Sequence, residues 1–154
     1  MVNVVWCNLL VCTQTMAKVA KLARAMGVRQ SKLEAVPSLA LGTSPVTLKE
    51  MVAAYGTIAN GGSYIEPVFV TRIENRQGQL LEEFEPATPE AVLDPRTTWE
   101  LYDLMRGVVN RGTGRAASLN IPNFGKTGTS QDNRDALFIG YAGDLVVGVW
   151  IGND

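Results

Sequence analysis

Two runs near the C-terminus, Ala136-Leu137-Phe138-Ile139-Gly140-Tyr141 and Leu145-Val146-Val147-Gly148-Val149-Trp150-Ile151, carry no charged residue. Only Ala142, Gly143 and Asp144 separate them. Their length, their aromatic and β-branched content and the Gly-Asp break between them predict two strands, at 135–142 and 145–151, joined by a tight turn. A strand that is apolar at every position has no solvent face. A sheet covered by helices on both sides explains that pattern. A third strand is predicted at 124–129, so three antiparallel strands end the chain.

Helices are expected mostly before those strands. Residues 3–12 read as a buried helix, and 15–26 as a second, with Met16, Val19, Ala20, Ala23 and Met26 at helical spacing and Gly27 closing it. Residues 31–36 are predicted to form one helical turn, and residues 39–45 a loop. Thr47-Leu48-Lys49-Glu50 is a capping box, opening a helix with the stripe Leu48, Met51, Val52, Tyr55 and Ile58 that Asn60-Gly61-Gly62 stops. Residues 68–74 and 79–84 predict a β-hairpin around 75–78, followed by a loop over 85–93. Asp94-Pro95 predicts an N-cap with proline in the first helical position. The helix it opens carries Trp99, Tyr102, Leu104, Met105 and Val108 and ends near Asn110. The fold class expected is α/β of the α+β type, an antiparallel sheet with helices on both faces.

Composition excludes several functions. The chain has 154 residues, 46% hydrophobic and 19% charged, which suits a packed core in one domain or part of a larger one. The net charge is −1 with no basic cluster, so nucleic-acid binding has no electrostatic support. There is no histidine, which removes Ser-His-Asp and Cys-His catalysis and most zinc or iron sites. Acid–base work falls to Lys, Asp, Glu or Tyr. No metal and no cofactor are expected. Cys7 and Cys12 are read as small buried apolar residues, because their spacing on a helix puts them on different faces. Residues 2–11 are apolar but short of the about 20 residues that span a bilayer, and they lack a basic leader. The chain as given is therefore expected to carry no anchor. Neither end shows a polar linker, so the chain is expected to be a piece of a larger protein.

Chemistry concentrates at Gly125-Lys126-Thr127-Gly128-Thr129-Ser130. A lysine on a strand is ordinarily part of a solvated face. Here Thr127 and Thr129 alternate along the strand and share a face, and Gly128 leaves the backbone open to close approach. A cation, two hydroxyls and an open backbone form a plausible carboxylate-binding strand edge. Gly125-Lys126-Thr127 also mimics the end of a phosphate-binding P-loop. However, Asn120 stands where that motif needs glycine, and a strand follows where it needs a helix. Ser118-Leu119-Asn120 spells Ser-x-Asn but lies on the approach to the same strand, and is read as coincidence.

Lys126-Thr127-Gly128 resembles the Lys-Thr-Gly motif of penicillin-recognising serine enzymes, whose other signatures are Ser-x-x-Lys and Ser-x-Asn. The stretch from Leu41-Gly42-Thr43-Ser44-Pro45 through the helix to Asn60-Gly61-Gly62 resembles high-molecular-mass penicillin-binding proteins. So do Val109-Asn110-Arg111-Gly112-Thr113-Gly114-Arg115-Ala116-Ala117 and the two final strands. The combination is most similar to the bifunctional class, in which a glycosyltransferase precedes a D,D-transpeptidase. The resemblance implies an enzyme that cross-links peptidoglycan stem peptides through a serine acyl-enzyme, binds β-lactams and works at the extracytoplasmic face of the membrane. It implies a catalytic role for Lys126, orienting the serine of Ser-x-Asn and aiding proton transfer. Thr127, Gly128 and Thr129 would bind substrate, with the Thr129 N–H as one oxyanion-hole donor and the strand edge receiving the donor peptide.

The departures are plain. No Ser-x-x-Lys occurs anywhere in the 154 residues, and no glycosyltransferase region is present. Asn3 falls where the third residue of Ser-x-Asn is expected, with Met1 in place of its serine. This chain alone is expected to be inactive and to need the N-terminal half of the domain as partner. The alternative is a non-catalytic remnant or protein-interaction module of the same fold.

Overall fold

The structure is a computed structural model that describes residues 15–130 and 135–152. The helix expected at 3–12, with Cys7, Cys12 and Asn3, lies outside the described residues. Within them the chain is an α+β fold. Helices α1 (Met16–Met26) and α2 (Leu48–Ala59) come first, and α3 (Pro95–Arg111) precedes the main sheet. That sheet contains β5 (Asn123–Thr129), β6 (Asp135–Ala142) and β7 (Leu145–Gly152), antiparallel throughout and in the order β5-β6-β7.

The helix starts follow their local chemistry. The Thr47 hydroxyl accepts from the Glu50 N–H at 3.2 Å while the Glu50 carboxylate accepts from the Thr47 N–H at 3.2 Å, completing the capping box of α2. Asp94 accepts from the Thr97 N–H at 3.0 Å, and Pro95 occupies the first turn of α3, where its missing N–H costs no intrahelical bond.

Three expectations need correction. Residues 31–36 are not helical, and the short 3-10 turn lies at Pro37–Leu41, inside what was expected to be loop. Pro37 sets the start of that turn and keeps Val36 extended. The N–H groups of Gln30 and Ser31 donate to the Glu50 carboxylate, which ties the start of this segment to α2. The hairpin is shorter than expected, β2 (Arg72–Glu74) against β3 (Leu80–Glu83), with a register shift at Ile73/Glu74. Its turn is ordered as expected: the Asn75 side-chain oxygen accepts from the N–H groups of Gln77 and Gln79 at 3.0 and 2.9 Å. The stretch 85–93 is not all loop, since β4 (Glu90–Ala91) pairs with β1 (Ser63–Tyr64).

Two clusters form the core. Ala20, Val28, Leu33 and Ala54 join α1 to α2. Ile58 of α2, Met105 of α3 and Tyr141 of β6 join both later helices to one face of the sheet, with Tyr102, Phe124 and Val146 against them. Ile139 and Val109 are almost fully buried, and each apolar side chain so buried contributes about 1.5–3 kcal/mol. The other face of the sheet carries Val147, Val149 and Ile151, all exposed among the described residues. The strands are apolar on both faces, but among the described residues helices cover only one of them, so the expected cover on the second face is not seen.

Candidate active site

β5 is the outermost strand of its sheet, hydrogen-bonded to β6 on one side and to no described strand on the other. Its seating on β6 depends on a cross-strand glycine pair. Gly125 lies opposite Gly140, and the Phe138 ring occupies the space their side chains would take. A Cβ on Gly140 would stand 2.5 Å from the Phe124 carbonyl oxygen and 2.9 Å from that ring.

Lys126 pairs with Ile139 across the ladder, and Phe124, one step back on the same face, pairs with Tyr141. The Lys126 stem therefore shares the face that α2 and α3 cover, and the residue is half-buried. Its ammonium donates to the Thr127 carbonyl at 2.6 Å, and no described carboxylate forms an ion pair with it. A half-buried cation without a counter-charge is poised for an anionic ligand or a transferring proton. Thr127 and Thr129 share the opposite face by strand alternation. The Thr127 hydroxyl lies 2.6 Å from that of Thr113, in the turn after α3. Thr129 is exposed at the strand end. A Cβ on Gly128 would meet Leu137 at an ordinary 3.4 Å, so packing alone does not demand glycine there. Its missing side chain leaves the backbone of the edge open.

The structure brings Lys126, Thr127, Gly128 and Thr129 together on one strand and leaves Ser118 and Asn120 apart. Both are exposed, and Asn123 orders their loop: its side chain donates to the Ala117 carbonyl at 2.7 Å and accepts from the Leu119 N–H at 3.3 Å. The Lys126 ammonium does not bond Ser118. The P-loop reading fails, because β5 continues as a strand through Lys126 to Thr129. A groove of about 550 Å³ lies elsewhere, lined by Leu48, Val52, Ile65, Phe69 and Val146 among others. It is almost wholly apolar and shares no residue with the Lys126 strand.

Lys-Thr-Gly-Thr thus lies on the open edge strand of an antiparallel sheet with helices on one face. The penicillin binding protein transpeptidase domain matches residues 19–151, and the chain belongs to that family. Penicillin-binding protein 1A of Neisseria meningitidis serogroup A is 40% identical over 138 residues, covering 85% of this chain and 17% of that protein. Penicillin-binding protein 1A of Aquifex aeolicus is 43% identical over 118 residues, 76% of this chain and 16% of that protein. The chain thus spans about a sixth of the length of these relatives.

Among solved structures, the D,D-transpeptidase domain of a peptidoglycan glycosyltransferase from Eggerthella lenta superposes with a TM-score of 0.81 at 25% identity, covering 96% of this chain and 45% of that one. Penicillin-binding protein 1A from Haemophilus influenzae shares the fold with a TM-score of 0.87 at 21% identity, over 99% of this chain and 28% of that one. The PonA1 protein from Mycobacterium tuberculosis, solved in complex with penicillin V, gives 0.76 at 26% identity, over 90% of this chain and 43% of that one. No helix among the described residues is long and apolar enough to cross a membrane.

Proposed function

We propose that this chain supplies the Lys-Thr-Gly wall of a D,D-transpeptidase that cross-links peptidoglycan at the extracytoplasmic face of the membrane. The observation that carries this reading is Lys126, half-buried and without a counter-charge among the described residues on an open edge strand, with Thr127 and Thr129 on the other face of the same strand. In this reaction a serine Oγ attacks the carbonyl carbon of the amide between the two terminal D-Ala residues of a stem peptide. The serine proton passes to the departing amine, and an ester remains. An amine of a second stem peptide then attacks the ester and regenerates the serine.

In this reading the Lys126 cation orients a serine hydroxyl and steadies the charge that moves during proton transfer. Thr127 and Thr129 bind the carboxylate of the stem peptide or of a β-lactam. The Thr129 N–H is one donor to the oxyanion, and Gly128 keeps the strand open for the donor peptide to add as a further strand. The nucleophile belongs to a Ser-x-x-Lys segment outside these 154 residues, and the N-terminal part of the same domain is the partner that completes the site.

The test is covalent labelling with a fluorescent penicillin, read by denaturing electrophoresis and intact mass. The 154-residue chain takes no stoichiometric adduct. A longer protein that includes the Ser-x-x-Lys segment is labelled, and Lys126→Ala in that protein removes most of the label. A hydroxylamine-sensitive adduct on a serine of the short chain would overturn the assignment of the nucleophile. A longer protein that takes no label would favour a non-catalytic interaction module.

A further inference from the structure

Gly112-Thr113-Gly114 closes α3 in a way its composition explains only in three dimensions. The N–H groups of Gly112 and Gly114 both donate to the Val108 carbonyl, at 3.1 and 3.0 Å. The chain therefore doubles back on the last turn of the helix. A Cβ on Gly112 would stand 2.9 Å from the Val108 Cα, and one on Gly114 would stand 3.2 Å from a Val108 methyl. Neither position has room for a side chain without a shift. Val109, fully buried, anchors the helix end beneath them. Thr113 is held between these two fixed points, and its hydroxyl lies 2.6 Å from the Thr127 hydroxyl on β5.

A threonine hydroxyl has one proton and two lone pairs. In a pair this close, one hydroxyl donates and the other accepts. If Thr127 donates to Thr113, its proton is spent. If Thr113 donates, the Thr127 proton is free to point outward, and the incoming bond polarises it into a better donor. A carboxylate can only accept, so an anionic ligand selects the second arrangement. We propose that Thr113 is a positioning residue of this site, donating to Thr127 and thereby presenting the Thr127 proton to the ligand carboxylate. The proposal rests on the reading of Thr127 as a carboxylate-binding group, and adds a residue from a different element, fixed by the Gly-Thr-Gly turn.

The test uses the longer protein that contains the nucleophile and compares acylation by penicillin G with acylation by its methyl ester, which lacks the anionic acceptor. Thr113→Val keeps the shape and removes the hydroxyl. It is expected to lower the second-order acylation rate for penicillin G about threefold, because Thr127 can still donate and only the orienting and polarising share of its bond to the carboxylate is lost. The rate for the ester should be unchanged. Thr113→Ser is expected to restore the ratio of the two rates. Thr113→Cys, a weaker donor, should give an intermediate ratio and keeps the question answerable if the valine variant fails to fold. Equal losses on both ligands would reduce Thr113 to a packing residue and overturn the proposal, as would an unchanged ratio. Wild-type protein that takes no label overturns the transpeptidase reading itself, and the proposal with it. That outcome is separate from a labelled wild type with an unchanged ratio.

Discussion

The Glu50 carboxylate accepts from both the N–H (2.8 Å) and the hydroxyl of Ser31, a residue 19 positions earlier in the chain. It also accepts from the Gln30 N–H at 2.7 Å and the Thr47 hydroxyl at 2.8 Å, while almost fully buried. One side chain thus caps α2 and ties the segment after α1 to it. Burial pushes the Glu50 pKa up, but the bonds from Ser31, Gln30 and Thr47 outweigh it and hold the carboxyl at about 2, below its ordinary 4.5.

A depressed folded pKa stabilises above the unfolded value, and that contribution is lost as the pH falls toward the folded value. Stability should therefore decline between pH 4.5 and about 2 through this group. Glu50→Ala should cost about 3 kcal/mol at neutral pH, because it leaves buried N–H groups without an acceptor. Glu50→Gln should flatten the acid limb of a denaturation series. An acid limb unchanged by either substitution would show that Glu50 does not carry the dependence.

Tyr102 and Tyr141 touch in the same aromatic cluster, with ring centroids 5.6 Å apart, yet their hydroxyls differ. Tyr102 donates to the Ile58 carbonyl at 2.8 Å, satisfying an acceptor at the end of α2. The Tyr141 hydroxyl is buried with no hydrogen bond of ordinary geometry among the described residues, and burial, with the nearby Tyr102 hydroxyl, pushes its pKa up. Tyr102→Phe should destabilise by about 1 kcal/mol, while Tyr141→Phe should be neutral or stabilise by up to about 1 kcal/mol. Urea denaturation of the two variants decides this, and equal losses would contradict it.

The glycine pair under Phe138 makes an asymmetric prediction. A Cβ on Gly125 collides chiefly with the Phe138 ring, whereas one on Gly140 collides also with the Phe124 backbone oxygen. Gly125→Ala and Gly140→Ala should each cost about 2–4 kcal/mol. Phe138→Ala should recover a large part of the first loss and little of the second. A double-mutant cycle measures both coupling energies.

Val147, Val149 and Ile151 are exposed together on the face of the sheet away from α2 and α3. β7, an outer strand of the described sheet, bears them. Such a surface associates. The 154-residue chain should show concentration-dependent oligomers by light scattering, and Val147→Lys with Ile151→Lys should shift it toward monomer. A monomeric parent chain at high concentration would remove this expectation.

Much of the architecture is legible in the sequence because its signals are local. The Thr47–Glu50 capping box, Asp94-Pro95 and the two uncharged runs each place an element within a residue or two, since caps and periodicity act between near neighbours. The strand of the candidate site is legible as well, because Lys126 to Thr129 lie in one continuous segment. The positions that failed are those where a distant partner decides the outcome. Residues 31–36 were expected to be helical and are not: Pro37 keeps Val36 extended, and the carboxylate that anchors Gln30 and Ser31 comes from Glu50, remote in sequence. The β1–β4 pairing joins Ser63 to Ala91 and Tyr64 to Glu90, remote in sequence, through strands of two residues each, too short for any periodicity to register.

Chain pattern alone therefore determined the three long helices, the three-stranded sheet and the strand that carries Lys-Thr-Gly. Tertiary structure decided where Glu50 spends its oxygens, which tyrosine hydroxyl is left without a hydrogen bond of ordinary geometry, and that the Thr113 hydroxyl meets that of Thr127. Each of these is a contact between residues remote in sequence, and a hydrogen bond a few tenths of an ångström long or short depends on how the helices pack rather than on which residues neighbour one another.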